Sequence, residues 1–178
     1  MGINKIAKHA KVDKRLIYRY FGSGQNLIET YISERDYWLK LTDNKNKFEQ
    51  CSSETVEDFV TRLLLEQFDY LYNDKETQGL IHWEISEKND LLNSIAGLRE
   101  NKASQLFERI DKEIKSTEID FRSVSALLVA GIYYLNLHHR VNDSTFCEID
   151  INNPIDQQKL KQTISQIVHI ALSTKRVS

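Results

Sequence analysis

Proline and glycine are scarce, with one proline and six glycines in 178 residues. So few chain breakers argue against a turn-rich β-sandwich or barrel and favour long helices. Cysteine is scarce as well. Two thiols, Cys51 and Cys147, cannot build the disulfide framework of a small secreted domain and suit a reducing compartment. Both fall near expected loops, where inert residues are commoner than redox sensors. The N-terminal residues lack the apolar stretch of a signal peptide. The most apolar run, residues 126–137, includes Gly131 and Asn136 and is too short to span a bilayer. A cytoplasmic protein with no membrane partner is expected.

Catalytic and metal motifs are also missing. There is no phosphate-cradling glycine loop and no nucleophile elbow. No Cys-x-x-Cys, His-x-x-x-His or Glu-x-x-His pattern occurs. His138 and His139 are adjacent, so on a helix they point about 100° apart and cannot chelate one ion alone. Neither a metal, nor a cofactor, nor an enzymatic activity is expected.

What is present is a soluble, globular composition, 40% hydrophobic and 28% charged, in a chain long enough to bury a core without staples. Charge is unevenly placed. Residues 1–26 carry Lys5, Lys8, Lys11, Lys14, Arg15 and Arg19 against Asp13 alone, a net +5. With an overall net charge of −2, the remaining 152 residues carry −7. A basic head on an acidic body suits one face meeting phosphates while the rest stays in solution. A solvated lysine-rich face fits the charge equally well.

The periodicity reads as helix throughout. Ile3, Ile6, Ala7 and Ala10 share one face of an opening helix, with Lys5 and Lys8 outside it. Lys11 and Val12 make a turn, Asp13 caps a second helix that runs to about Phe21, and Gly22 stops it. Ser23 caps a long third helix over residues 24–48. In the body, Ser53 is expected to open a helix that ends at Asn73 and Asp74. Further helices are expected over 76–87, 91–114, 121–141 and 154–174. The last begins at Asn153–Pro154, with asparagine at the cap and proline at the first helical position. The 121–141 helix is apolar on most sides and calls for burial nearly all round, by its own domain and by a second copy. The fold class is all-α, with a head over residues 1–45 and a helical-bundle body over 46–178.

Two short helices joined by a tight turn, the second bearing Lys14, Arg15, Leu16, Tyr18, Arg19 and Tyr20, have the form of a helix-turn-helix reader of duplex DNA. Arg15 can pair bidentately with guanine. Lys14 and the Tyr18 and Tyr20 hydroxyls can meet phosphates, and Arg19 can do the same or brace the fold. The competing reading makes the two tyrosines half-buried packing residues and the cations solvent-facing. In the body, Trp83, Phe107, Tyr133, Tyr134 and His138, with Phe59, Leu63 and Phe68, can line a cavity for a small molecule, although each also suits plain core.

Residues 2–23 resemble the DNA-binding signature of the TetR family of transcriptional regulators. The resemblance rests on the Ile6-Ala7 pair, the turn at Ala10-Lys11-Val12 and the run Ile17-Tyr18-Arg19-Tyr20-Phe21. It implies an all-α homodimer, with a head that binds one half-site, a body that holds an effector pocket, and the last two helices of each subunit packed as the dimer interface. Departures are also expected to matter. The family's first helix has no counterpart, so either the chain begins upstream of Met1 or the head is incomplete, and the inner faces of Ile3, Ile6, Ile17 and Phe21 are expected to be exposed. Lys11 stands where the family has a turn glycine, and lysine at positive φ carries a strain of about 1 kcal/mol. Gly24 stands where the family has a phosphate-contacting lysine. Asp13 replaces serine or threonine, and Arg15 and Leu16 replace small groove-facing residues.

The expected function is a ligand-responsive regulator, a repressor, that binds palindromic operator DNA as a homodimer. The alternative is a dimeric small-molecule-binding helical module whose DNA-binding head has degenerated.

Overall fold

A computed structural model describes residues 2–43, 54–88, 90–114, 118–142 and 144–173. Among the described residues there are nine helices: α1 (Ile3–Ala10), α2 (Lys14–Phe21), α3 (Gly24–Arg35), α4 (Tyr37–Asp43), α5 (Val56–Asn73), α6 (Lys75–Ser86), α7 (Asp90–Glu113), α8 (Phe121–Asn142) and α9 (Pro154–Ser173). No strand is found among them, only an isolated bridge between Phe146 and Ile149.

Local chemistry sets the ends of the head helices. Lys11 closes α1 in the left-handed conformation, at φ 55°. Its N–H bonds to the Lys8 carbonyl and the Val12 N–H bonds to the Ala7 carbonyl at 3.0 Å, the pair of bonds that closes a Schellman turn. The Asp13 carboxylate accepts from the Arg15 N–H at 2.8 Å and starts α2. Gly22, at φ 74°, ends α2, and the Ser23 hydroxyl oxygen accepts from the Asn26 N–H to start α3.

The expected single helix over 24–48 is in fact two. The chain leaves helical geometry at Asp36 (φ −71°, ψ 127°), and the residues after 43 lie outside the described set, as does the domain boundary expected near 45. Asp36 breaks the helix because its carboxylate has two other tasks. Its Oδ1 accepts from the Leu39 N–H, capping α4, and its Oδ2 accepts from Arg99. Ser53 also lies outside the described residues. The residue that opens α5 is Thr55, whose hydroxyl accepts from the Asp58 N–H and donates to the Asp58 carboxylate at 2.7 Å.

Helix α5 forms the centre of the body and packs against α6, α8 and α9. Phe59, Leu63, Leu64, Phe68 and Leu71 face inward at helical spacing and meet Ile132 and Leu137 of α8 and Ile164 and Val168 of α9. Burying each such side chain contributes about 1.5–3 kcal/mol. A second cluster joins head to body: Ile32 of α3 and Leu39 of α4 pack on Leu91, Leu92 and Ile95 of α7. Motion of α3 is therefore tied to α7.

Helix α8 is covered by its own chain on one face only. Within one chain it buries Phe121, Ile132, Asn136 and Leu137. Leu127 is 75% exposed, and Tyr134 and Val141 are also open to solvent. The body of one chain covers one face of α8, and the other face remains apolar and bare.

Candidate nucleic-acid interface and body cavity

Helix α2 sorts its side chains by the 3.6-residue period. Ile17 and Phe21, four residues apart, take the inner side, where Ile17 is buried and Phe21 partly so. The pairs Lys14/Tyr18, Arg15/Arg19 and Leu16/Tyr20 fan over the outer side, and all six residues are exposed. Tyr18 is 49% and Tyr20 73% exposed, so Tyr20 in particular is not a packing residue. The Arg19 guanidinium lies 6.0 Å from the Tyr20 ring centroid, within the outer reach of a cation–π contact. No acidic residue lies on α2, and Asp13 is occupied with the cap. The surface is therefore basic and aromatic, built on a helix of only two turns that α1 and α3 hold in place.

The inner face of the head differs from expectation at one residue. Ile3, Ile6 and Phe21 are partly exposed, but Ile17 is buried, since α1 and α3 both pack on α2. Gly24 serves this packing. A Cβ there would sit 3.2 Å from the Cδ1 of Ile3, so the glycine lets Ile3 lie against the start of α3.

The body holds a cavity of about 570 Å³ between α4, α5, α6, α7 and α8, inside the roughly 300–1,000 Å³ range of small-molecule pockets. Trp38, Leu63, Leu64, Phe107, Phe121 and Tyr133 are among the residues of its apolar wall. Tyr37 anchors α4 by donating its hydroxyl to the Leu63 carbonyl at 3.0 Å, which fixes the neighbouring Trp38 at the cavity. The Trp38 indole N–H donates to the Tyr133 hydroxyl, while burial pushes the Tyr133 phenol above its ordinary value.

Charged side chains also reach this wall, and of Arg99, Glu84 and Arg122 it is Arg99 that is the most buried. Arg99 Nε donates to Asp36 and Nη1 to Glu84, both at 2.6 Å. Burial works against the guanidinium charge, and the two carboxylates outweigh it, so Arg99 is held above its usual value. Arg122, nearer the rim, donates two bonds to the Asp111 carboxylate.

Of the body residues singled out by sequence, Phe107, Tyr133 and Leu63 line this cavity. Trp83 does not. It packs against the Ile32 and Leu91 cluster and donates its indole N–H to Glu87 at 2.9 Å. Tyr134 and His138 point elsewhere too, forming a half-exposed aromatic group with Phe146. Tyr134 follows Tyr133 by one residue, and about 100° of helix rotation separates the two directions. Phe59 and Phe68 are core.

Sequence reasoning missed Trp38, Glu84 and Arg99. A signal for Arg99 was present. Leu91, Ile95 and Arg99 recur every four residues, so a charge occupies a position of the buried stripe. Among the described residues no group of three or more His, Cys, Asp and Glu can hold a metal ion. Cys147 is exposed, and Cys51 lies outside the described residues. No helix among the described residues is long and apolar enough to cross a membrane.

No curated protein and no solved structure matches this chain. Residues 1–31 match the family model for bacterial regulatory proteins of the tetR family. The matched segment spans α1, α2 and most of α3, and holds all six outward-facing residues of α2. The match and the basic outer face of α2 together mark the head as similar to the helix-turn-helix of tetR family regulators, a DNA-binding module of transcription regulators.

Proposed function

We propose that the protein is a ligand-responsive repressor that binds palindromic operator DNA as a homodimer in the cytoplasm and has no enzymatic activity. The observation that carries this reading is the outward fan of Lys14, Arg15, Leu16, Tyr18, Arg19 and Tyr20 over a helix whose inner face holds Ile17. The N-terminal end of such a helix reads base edges while its flanks meet phosphates. Arg15 is assigned the guanine contact, and Lys14, Tyr18 and Tyr20 are assigned phosphates.

Bare apolar residues on the last two helices support a dimer. Leu127, Tyr134 and Val141 recur every seven residues along α8, and Ile167 and Ile170 add to the patch on α9. Exposed large apolar side chains gathered on two helices suit an association surface. A two-fold pairing there sets two heads against half-sites about 34 Å apart.

The body cavity is assigned the effector. Its wall reaches the head through Arg99 and Asp36, because Asp36 forms the break between α3 and α4. An effector with different affinities for two settings of that break shifts the spacing of the heads and so the affinity for DNA. The alternative, a helical ligand-binding dimer with a degenerate head, draws on the partial exposure of Ile3, Ile6 and Phe21.

Selection of bound sequences from a random duplex pool separates the two. Enrichment of a two-fold symmetric sequence is expected. A pool that remains random after several rounds, with folded protein throughout, contradicts the proposal and favours the degenerate head.

A further inference from the structure

The charges around the body cavity define the class of molecule that it takes, on the reading above that this cavity is the effector site. Arg99 is one guanidinium between two carboxylates, so the group Asp36–Arg99–Glu84 keeps one negative charge. Arg122 brings no surplus positive charge, because Asp111 already pairs with it through two bonds. Glu100, also on the wall, adds a further negative charge. Among the described residues the lining and its direct ion partners are therefore net negative, although the cavity opens on a largely apolar, aromatic wall.

In a partly open, largely apolar cavity a net negative charge disfavours an anionic guest and favours a cationic one. Aromatic faces add to the same preference, since their quadrupoles attract cations. Within the Arg99 group, Glu84 is the carboxylate within reach. Its side chain is 21% exposed against 6% for Asp36, and it lies on the cavity wall.

We propose that the cavity takes an apolar organic cation, a molecule with a single positive charge placed against Glu84 and an aromatic or aliphatic body between Trp38, Phe107, Phe121 and Tyr133. The cation competes with Arg99 Nη1 for the Glu84 carboxylate. Binding therefore weakens the tie between α6 and α7 beside the Asp36 break, which is where a signal to the head has to start.

The test is titration calorimetry of the full chain with three probes. Tetraphenylphosphonium and tetraphenylborate have nearly the same shape and opposite charge, and N-phenyl-1-naphthylamine is neutral. The phosphonium is expected to bind at least tenfold more tightly than the borate. Glu84→Gln lowers phosphonium affinity about tenfold and leaves the naphthylamine unchanged, and Val129→Trp, which fills the cavity, abolishes both. Borate binding as tight as phosphonium overturns the proposal in the wild-type protein itself, whatever the stability of the variants. So does an unchanged phosphonium affinity in a folded Glu84→Gln protein. Binding of the neutral probe alone overturns the charge preference and leaves the effector site standing. Binding of none of the three removes the cavity as a binding site, and the effector reading with it.

Discussion

Arg99 Nε donates to Asp36 Oδ2 at 2.6 Å, joining residues 63 positions apart. The bond ties the wall of the body cavity to the point where the helix leaving the head is broken. Glu84 holds the other side of the same guanidinium. Removing the cation leaves two carboxylates facing each other in a buried site. Arg99→Met is expected to cost about 3–5 kcal/mol, the usual loss when one member of a buried ion group is deleted. Adding Asp36→Asn and Glu84→Gln to that variant is expected to restore much of the loss, since no charge is then left unpaired. Urea melts of the single and triple variants check this. A loss below about 1 kcal/mol in the single variant means that the group is solvated and mechanically unimportant.

The bare stripe on α8 and α9 makes a separate prediction. Leu127→Asp, and independently Ile170→Asp, place a charge on the proposed association surface. Each is expected to weaken self-association at least tenfold with little effect on the fold, because both side chains are already exposed. Sedimentation velocity across a concentration series reads the change. A wild-type chain that sediments as a monomer at all concentrations contradicts the assignment of that surface.

Lys11 carries the strain of a left-handed backbone at φ 55°, and among the described residues no side-chain bond offsets it. Lys11→Gly is expected to stabilise the head by about 1 kcal/mol. The gain is visible as a small rise in the thermal midpoint of the α1–α2 unit, and amide exchange in α1 reports it more directly. A destabilised variant shows that the lysine makes contacts worth more than the strain.

Asp74 ends α5 and starts α6, accepting from the Glu76 and Thr77 N–H groups. Burial pushes its carboxyl up, and the bonds from Thr77 and Glu76 outweigh burial and hold it below its ordinary value of 3.8. A depressed folded-state value means that this stabilisation is fully present above about pH 4 and is lost as pH falls through the folded-state value. Asp74→Ala is expected to cost about 1 kcal/mol at pH 7. The gap between wild type and variant should close as pH falls below 3.8. Urea midpoints measured across that range check the sign, and a gap that widens on acidification contradicts it.

The head was legible from sequence because its determinants are local. Lys11 at the left-handed turn, Asp13 and Ser23 at caps and Gly22 at a stop act within a few residues of themselves. The break at Asp36 was not legible, because the group that holds its carboxylate lies 63 residues downstream. The cavity was half legible for a similar reason. Phe107 and Tyr133 lie on stripes that sequence reveals, but which of two adjacent aromatics faces the space, Tyr133 or Tyr134, depends on how α8 is rotated against α5. Trp83 and Trp38 are alike in sequence, and tertiary packing alone sends Trp38 to the cavity and Trp83 to the second cluster.

The most direct measurement is the affinity of the purified protein for its selected duplex by fluorescence anisotropy as salt is raised, with Arg15→Ala, Lys14→Ala and Tyr18→Phe alongside. Binding is expected to weaken steeply with salt, as phosphate contacts release counterions. Arg15→Ala should cost about 1–3 kcal/mol and relax specificity at one base pair, and Lys14→Ala should reduce the salt slope by about 1. Tyr18→Phe should cost about 1 kcal/mol, the worth of one hydrogen bond. Salt-insensitive binding, or variants that bind as the wild type does, would contradict the assignment of the outer face of α2 to DNA.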